Sequence, residues 1–157
     1  MLRVESNMTN VLQSLIIQLD EGFPIQTEKA LRKVGDDAKA YVQDRVQQRG
    51  DGVNGRIQTK AQKTFGAYSK GWGKHRDTKG RQTSHIDLTF SGELWLSWQT
   101  LSSSPKMTEI GFAQSEQGDK AEYLEAYFGP IFSLTKEEET EVLATFEEEF
   151  NKEMQLI

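Results

Sequence analysis

The side chains with chemical reach in this 157-residue chain are few: two histidines, no cysteine, and scattered serines and acids. His75 lies in KHRD and His85 in SHID, ten residues apart. A metal site needs several ligands at turn or helix spacing, and two histidines with dispersed acids do not supply one. A histidine base needs a nucleophile on one side and an orienting acid on the other. Around His85 the available groups are Ser84, Asp87 and Ser91. Alternation along SHIDLTF puts Asp87 on the side of His85 and Ser84 on the opposite one. That geometry disfavours a hydrolase. The sequence therefore predicts no enzyme, no metal and no cofactor.

Two glycine-rich stretches invite a nucleotide reading and do not sustain it. GDGVNG at 50–55 matches the dinucleotide glycine pattern in letters. That mechanism needs a strand before the glycines and a helix after them to receive the pyrophosphate. Here a helical pattern precedes and RIQTKAQKT follows, so a tight turn is the better reading. GAYSKGWGK at 66–74 lacks the contiguous Gly-Lys-Ser/Thr ending that would bring lysine and hydroxyl to phosphate and magnesium. The acidic run EEETE at 137–141 reads as the solvated first turns of a helix, where carboxylates favour the dipole.

Charge is segregated along the chain, although the formal net value is only -5. From Arg45 to Arg81 ten lysines and arginines face two aspartates, whereas from Lys136 to Glu153 eight glutamates face two lysines. A basic block can contact nucleic acid. It can equally meet an acidic block on another copy, because complementary potentials fix register. The overall acidic balance favours the second. Hydrophobic residues make up 36% and charged residues 27%, a balance suited to one domain with a modest core. No run approaches the roughly 20 apolar residues of a membrane helix, and the N-terminal MLRVESNMTN lacks the apolar core of a secretory signal.

The elements that would position these groups follow from periodicity. TNVLQSLIIQL at 9–19 reads as a short helix, or a strand, ended by Gly22 and Pro24. In the next segment Leu31, Val34, Ala38, Tyr41, Val42 and Val46 recur at three and four, predicting an amphipathic helix closed by Gly50. Glu28 near its start and Arg45 and Arg49 near its end suit the dipole. Residues 50–83 show no sustained period and carry Phe65, Tyr68 and Trp72 among glycines and cations, which predicts a long extended basic arm ordered against a neighbour. HIDLTF at 85–90 reads as a strand, ELWLSWQTL as a short helix or second strand, and MTEIGF as a strand. Trp95 and Trp98, at i and i+3, would share a helical face against core or neighbour. KAEYLEAYF places Ala121, Leu124 and Phe128 on one face before Gly129-Pro130 stops it. Thr135 with Glu138 predicts a capping box opening a final helix, whose stripe Val142, Phe146, Phe150 and Met154 is core or subunit contact.

The order of short motifs carries a resemblance. Gly52…Asn54-Gly55 is followed by Tyr68-Ser69…Lys74, then Asp87-Leu88-Thr89…Gly92…Leu94, Ile110-Gly111-Phe112 and Gly129…Phe132-Ser133-Leu134-Thr135…Glu138. Over roughly residues 28–145 this order resembles the neck and tail-completion (head-tail joining) proteins of tailed bacteriophages. The resemblance implies a single α+β domain over 1–157: a small antiparallel sheet packed by a long helix of the N-terminal half and a C-terminal helix, with 50–83 as the arm. It implies a non-catalytic virion subunit, found in the host cytoplasm during assembly, that forms a sixfold or twelvefold ring of its own copies. The ring would sit at the head-tail junction or tail end, beside other neck or tail proteins. On that reading Tyr68, Lys70, Trp72, Lys74, Arg76, Arg81, Trp95 and Trp98 are interface residues, and some cations face packaged DNA without reading its sequence. An alternative from the residues alone is a small nucleic-acid-binding module using the arm, with Tyr68 and Trp72 as stacking platforms.

Overall fold

The computed structural model describes residues 22–157; the helix or strand expected at 9–19 lies outside them. Helix α1 runs over Pro24–Asp44. Pro24 occupies the first helical turn, where its missing N–H has no intrahelical partner to lose. Of the predicted stripe, Leu31, Val34, Ala38 and Val42 are buried with Ala30 beside them, and Tyr41 is half-buried against them. A π-helical turn, Arg45–Arg49, continues the helix and turns both Arg45 and Val46 inward. Gly50 closes it in the left-handed conformation at φ 71°, its N–H donating to the Val46 carbonyl at 2.9 Å.

At the other end of the chain, helix α5 spans Lys136–Met154 and opens with the expected capping box. The Glu138 N–H donates to Thr135 Oγ1 at 3.2 Å, and the Thr135 N–H donates to the Glu138 carboxylate at 2.9 Å. Helix α5 packs antiparallel to α1: Lys29 meets Glu153 at 2.6 Å, Thr145 meets Asp37 at 3.2 Å, and Arg45 bonds Glu138. Val142 and Phe146 are buried between them, so the first half of that stripe is core.

Among the described residues the sheet component is three separate two-stranded antiparallel ladders. Strands β1 (Asp51–Gly52) and β2 (Gly55–Arg56) make the tight turn expected of GDGVNG. Strands β3 (Thr64–Phe65) and β4 (Tyr68–Ser69) lead directly into helix α2, Lys70–Thr78. Helix α3 (Glu93–Ser97) passes into β5 (Trp98–Ser103), which pairs with β6 (Thr108–Phe112) across an irregularity between Thr100 and Ser102. Helix α4, Ser115–Phe128, precedes the Gly129-Pro130 break. The fold is α+β, with the long helix α1 packed on the C-terminal helix. Gly35 lets α1 approach the β5–β6 hairpin, since a Cβ there would stand 2.7 Å from Thr108 Oγ1.

Three expectations are corrected. Residues 50–83 are not a continuous extended arm: two short hairpins and α2 occupy them, and Ile57, Tyr68 and Arg76 are buried in their own chain. HIDLTF forms no strand. Leu88 takes a φ of 50°, and Ile86 and Asp87 are buried consecutively, which alternation forbids. Trp95 and Trp98 share no helical face, because the first belongs to α3 and the second begins β5.

Both tryptophans are core. Fully buried Phe132 lies 5.9 Å from the Trp95 ring, 5.7 Å from Trp98 and 5.0 Å from Phe112, the last edge-to-face. Each indole N–H finds a carbonyl at 3.2 Å, Trp95 on Asp87 and Trp98 on Lys39. Glu125 aims the loop that carries Phe132 by accepting the N–H groups of Ile131 and Phe132 at 2.8 and 2.9 Å.

Candidate functional site: the basic segment and its groove

The residues of the DLT motif build a polar knot under the basic segment. Asp87 Oδ1 accepts from the Tyr68 hydroxyl at 3.1 Å, from Arg76 Nη2 at 3.1 Å and from the Thr89 N–H at 2.9 Å. Its other oxygen accepts from Gln82 Nε2 at 2.7 Å and from Arg76 at 3.2 Å. Arg76 spends its remaining donors on the Gln82 carbonyl (3.0 Å) and the Thr89 carbonyl (2.8 Å), and lies 4.3 Å above the Tyr68 ring. Arg76 is only 2% exposed, so this charge is removed from water and fully paired. The turn at Leu88 exists because Thr89 folds back on Asp87 through both its N–H and its Oγ1.

Tyr68 responds to the same surroundings. Its phenol is pushed up to about 12, chiefly by burial, with the neighbouring Asp87 carboxylate adding to the effect. It accepts the Asp87 N–H at 3.2 Å while donating to the carboxylate, which requires the neutral form.

The predicted interface residues therefore divide. Tyr68, Arg76, Trp95 and Trp98 are buried within this chain and are not surface contacts. Lys70, Trp72, Lys74 and Arg81 are exposed on or beside α2. Trp72 stacks on His75 at 5.2 Å and tilts against Phe90 at 5.1 Å, while Arg81 lies 5.9 Å from the Phe90 ring. One face of the block is scaffold and the other is available.

Between α2 with its following loop and α4 lies an open groove of about 380 Å³. Trp72, Phe90 and Leu94 wall one side, and Leu124 and Phe128 wall the other. Gln117, 3% exposed, also lines it, and its Oε1 has no hydrogen-bond partner. Sequence reasoning missed this groove because its walls come from three segments with no common period. Phe90 beside Ser91-Gly92 was the one local signal, an aromatic at a glycine turn.

His85 stands outside the groove. Its Nε2 is 2.8 Å from the Gln47 carbonyl and its Nδ1 3.0 Å from Ser84 Oγ. Asp87, committed to Arg76, Tyr68 and Gln82, does not orient the imidazole. Among the described residues no cluster of three or more His, Asp or Glu could hold a metal ion, and no helix is long and apolar enough to cross a membrane. The architecture defines an α+β protein with one basic, aromatic-lined face. Compared with known proteins, the chain matches no family model, no curated sequence and no solved structure.

Proposed function

We propose that this chain is a structural subunit of a tailed-bacteriophage virion, a ring component of the head-tail junction or tail end, without catalytic activity. The observation that carries the reading is where the motif residues go. Tyr68 and Asp87, which bear the resemblance, form a buried brace with the half-buried Thr89, and their polar groups are spent on one another. What they brace is a surface of Lys70, Trp72, Lys74 and Arg81, set against an acidic α5 elsewhere on the same subunit. Opposed charged faces on one subunit suit a heterologous ring, in which one patch meets a different patch on the next copy. The test is electron microscopy of purified protein and of phage particles carrying a labelled copy. Rings or neck density containing the label support the reading, and absence from every particle refutes it.

A second reading has its own observation. Exposed Trp72 stacks on His75, which in turn stacks on Phe90, beside Lys70, Lys74 and Arg81, and this suits a base-stacking platform with phosphate partners. Salt-dependent binding of single-stranded DNA that is lost in Trp72→Ala would favour it.

A further inference from the structure

We infer that residues 58–63 form a strap latched across one end of the groove by Tyr127, and that releasing the latch opens the groove without unfolding the domain. The latch is independent of whatever occupies the groove. The strap is anchored at both ends. At its start Ile57 is buried, and its N–H donates to the Gly50 carbonyl at 2.9 Å. At its close the Lys63 carbonyl accepts the Lys70 N–H at 3.1 Å. Residues 57–63 form no helix or strand. Beyond Ile57 they bury no large apolar side chain: Gln58, Lys60, Gln62 and Lys63 are exposed, and Thr59 and Ala61 are half-buried. A segment with so little apolar burial lies at the low end of local stability, so polar bonds decide its position.

Among the described residues those bonds converge on Tyr127, near the end of α4. The Lys60 N–H donates to Tyr127 Oη at 3.1 Å, and the Lys60 ammonium lies 4.9 Å from the ring centroid. The Thr59 hydroxyl bonds the same phenol, and together with the Lys60 N–H it holds that phenol below its usual range. Thr59 Oγ1 also accepts the Ala61 N–H at 3.2 Å, so a third strap residue depends on the same point.

Latch and groove share an edge. The Tyr127 ring meets Phe128 edge-to-face at 4.6 Å, and both Thr59 and Phe128 line the groove, with Leu124 one helical turn before Phe128. Lifting the strap off Tyr127 withdraws Thr59 from the lining and uncovers that end. The wall itself stays in place, because Leu124 and Phe128 remain packed against the core.

The test uses the full chain, which has no cysteine of its own. Tyr127→Phe keeps the ring and removes the latching oxygen. Losing its hydrogen bonds should raise the open population of the strap roughly tenfold. Tryptic cleavage after Lys60 and Lys63, mapped by mass spectrometry in the cysteine-free protein, should accelerate by that factor. In a Leu124→Cys background, adding Tyr127→Phe should speed thiol labelling by dithiobis(nitrobenzoate) to the same extent. A Val142→Cys thiol, at a position fully buried between α1 and α5, should react equally slowly with and without Tyr127→Phe. Unchanged cleavage would overturn the latch. Faster cleavage with unchanged labelling at Leu124→Cys would overturn the opening of the groove. Equal acceleration at Val142→Cys would mean that the whole domain loosens, which overturns a local device.

Discussion

Two buried arginines hold this fold by different means. Arg45 reaches across 93 positions of sequence to Glu138 and donates to the carbonyls of Asp51, Ile131 and Ser133 at 3.3, 2.6 and 2.9 Å. It ties the end of α1 to the start of α5 and to the loop between α4 and α5. Arg76 reaches only eleven positions to Asp87, inside a knot built from residues 68–89. Glu138 also caps its own helix, whereas Asp87 gathers donors from a tyrosine, a glutamine and a backbone amide. The first pair joins distant elements and the second folds one neighbourhood. The same chemistry thus stabilises the whole domain in one place and shapes a surface in the other.

The contrast breaks first at Glu138. Glu138→Ala leaves Arg45 buried without its anion and removes half of the capping box. It should cost about 3–5 kcal/mol, seen as a lower urea midpoint with an unchanged slope. Asp87→Ala should cost about 3 kcal/mol, but locally. Hydrogen exchange should accelerate across residues 64–90 while amides of α1 and α5 keep their protection. Equal loss of protection in both variants would erase the distinction between the two pairs.

Gly66 sharpens the comparison at the edge of the knot. It has a φ of 62°, and a Cβ there would stand 1.9 Å from the Thr83 carbonyl oxygen, on backbone. Gly66→Ala should destabilise by about 1–3 kcal/mol, measured by thermal unfolding, with Trp72 fluorescence reporting the displaced hairpin.

The smallest effect is a pH dependence of the second region alone. Tyr68, with its phenol pushed up to about 12, holds its proton more tightly folded than unfolded, where about 10 is usual. Its contribution is complete below pH 10 and is lost as pH climbs from 10 through 12. Tyr68→Phe should therefore flatten the alkaline fall in stability over that window, read from urea midpoints at pH 9 and pH 11.5, and leave the acid side unaltered.

Much of the frame was legible because it rests on apolar period. The stripe from Leu31 to Val46 marked α1, Gly50 marked its end, and Thr135 with Glu138 marked the start of α5. MTEIGF was recognisable as a strand for the same reason. The basic segment was not legible. What orders it is a set of polar bonds among Tyr68, Arg76, Gln82, Asp87 and Thr89, and such bonds leave no repeat in the sequence. HIDLTF misled because its alternation is accidental, one consecutive pair, Ile86 and Asp87, being buried on different errands.

By itself, then, the sequence determined which stretches could bury a continuous face and where backbone caps begin and end them. It also determined that the two charged blocks are separate, since both follow from residue type at fixed spacing along one element. Only the tertiary structure decided which cations of the block point inward. Arg76 enters the core and Lys74, two residues earlier, remains in water, because Asp87 arrives from a different segment to neutralise one and not the other. The groove belongs to the same class of fact. A concave surface shared by Trp72, Phe90 and Leu124 exists only once three segments have been brought together, and no local pattern encodes their meeting.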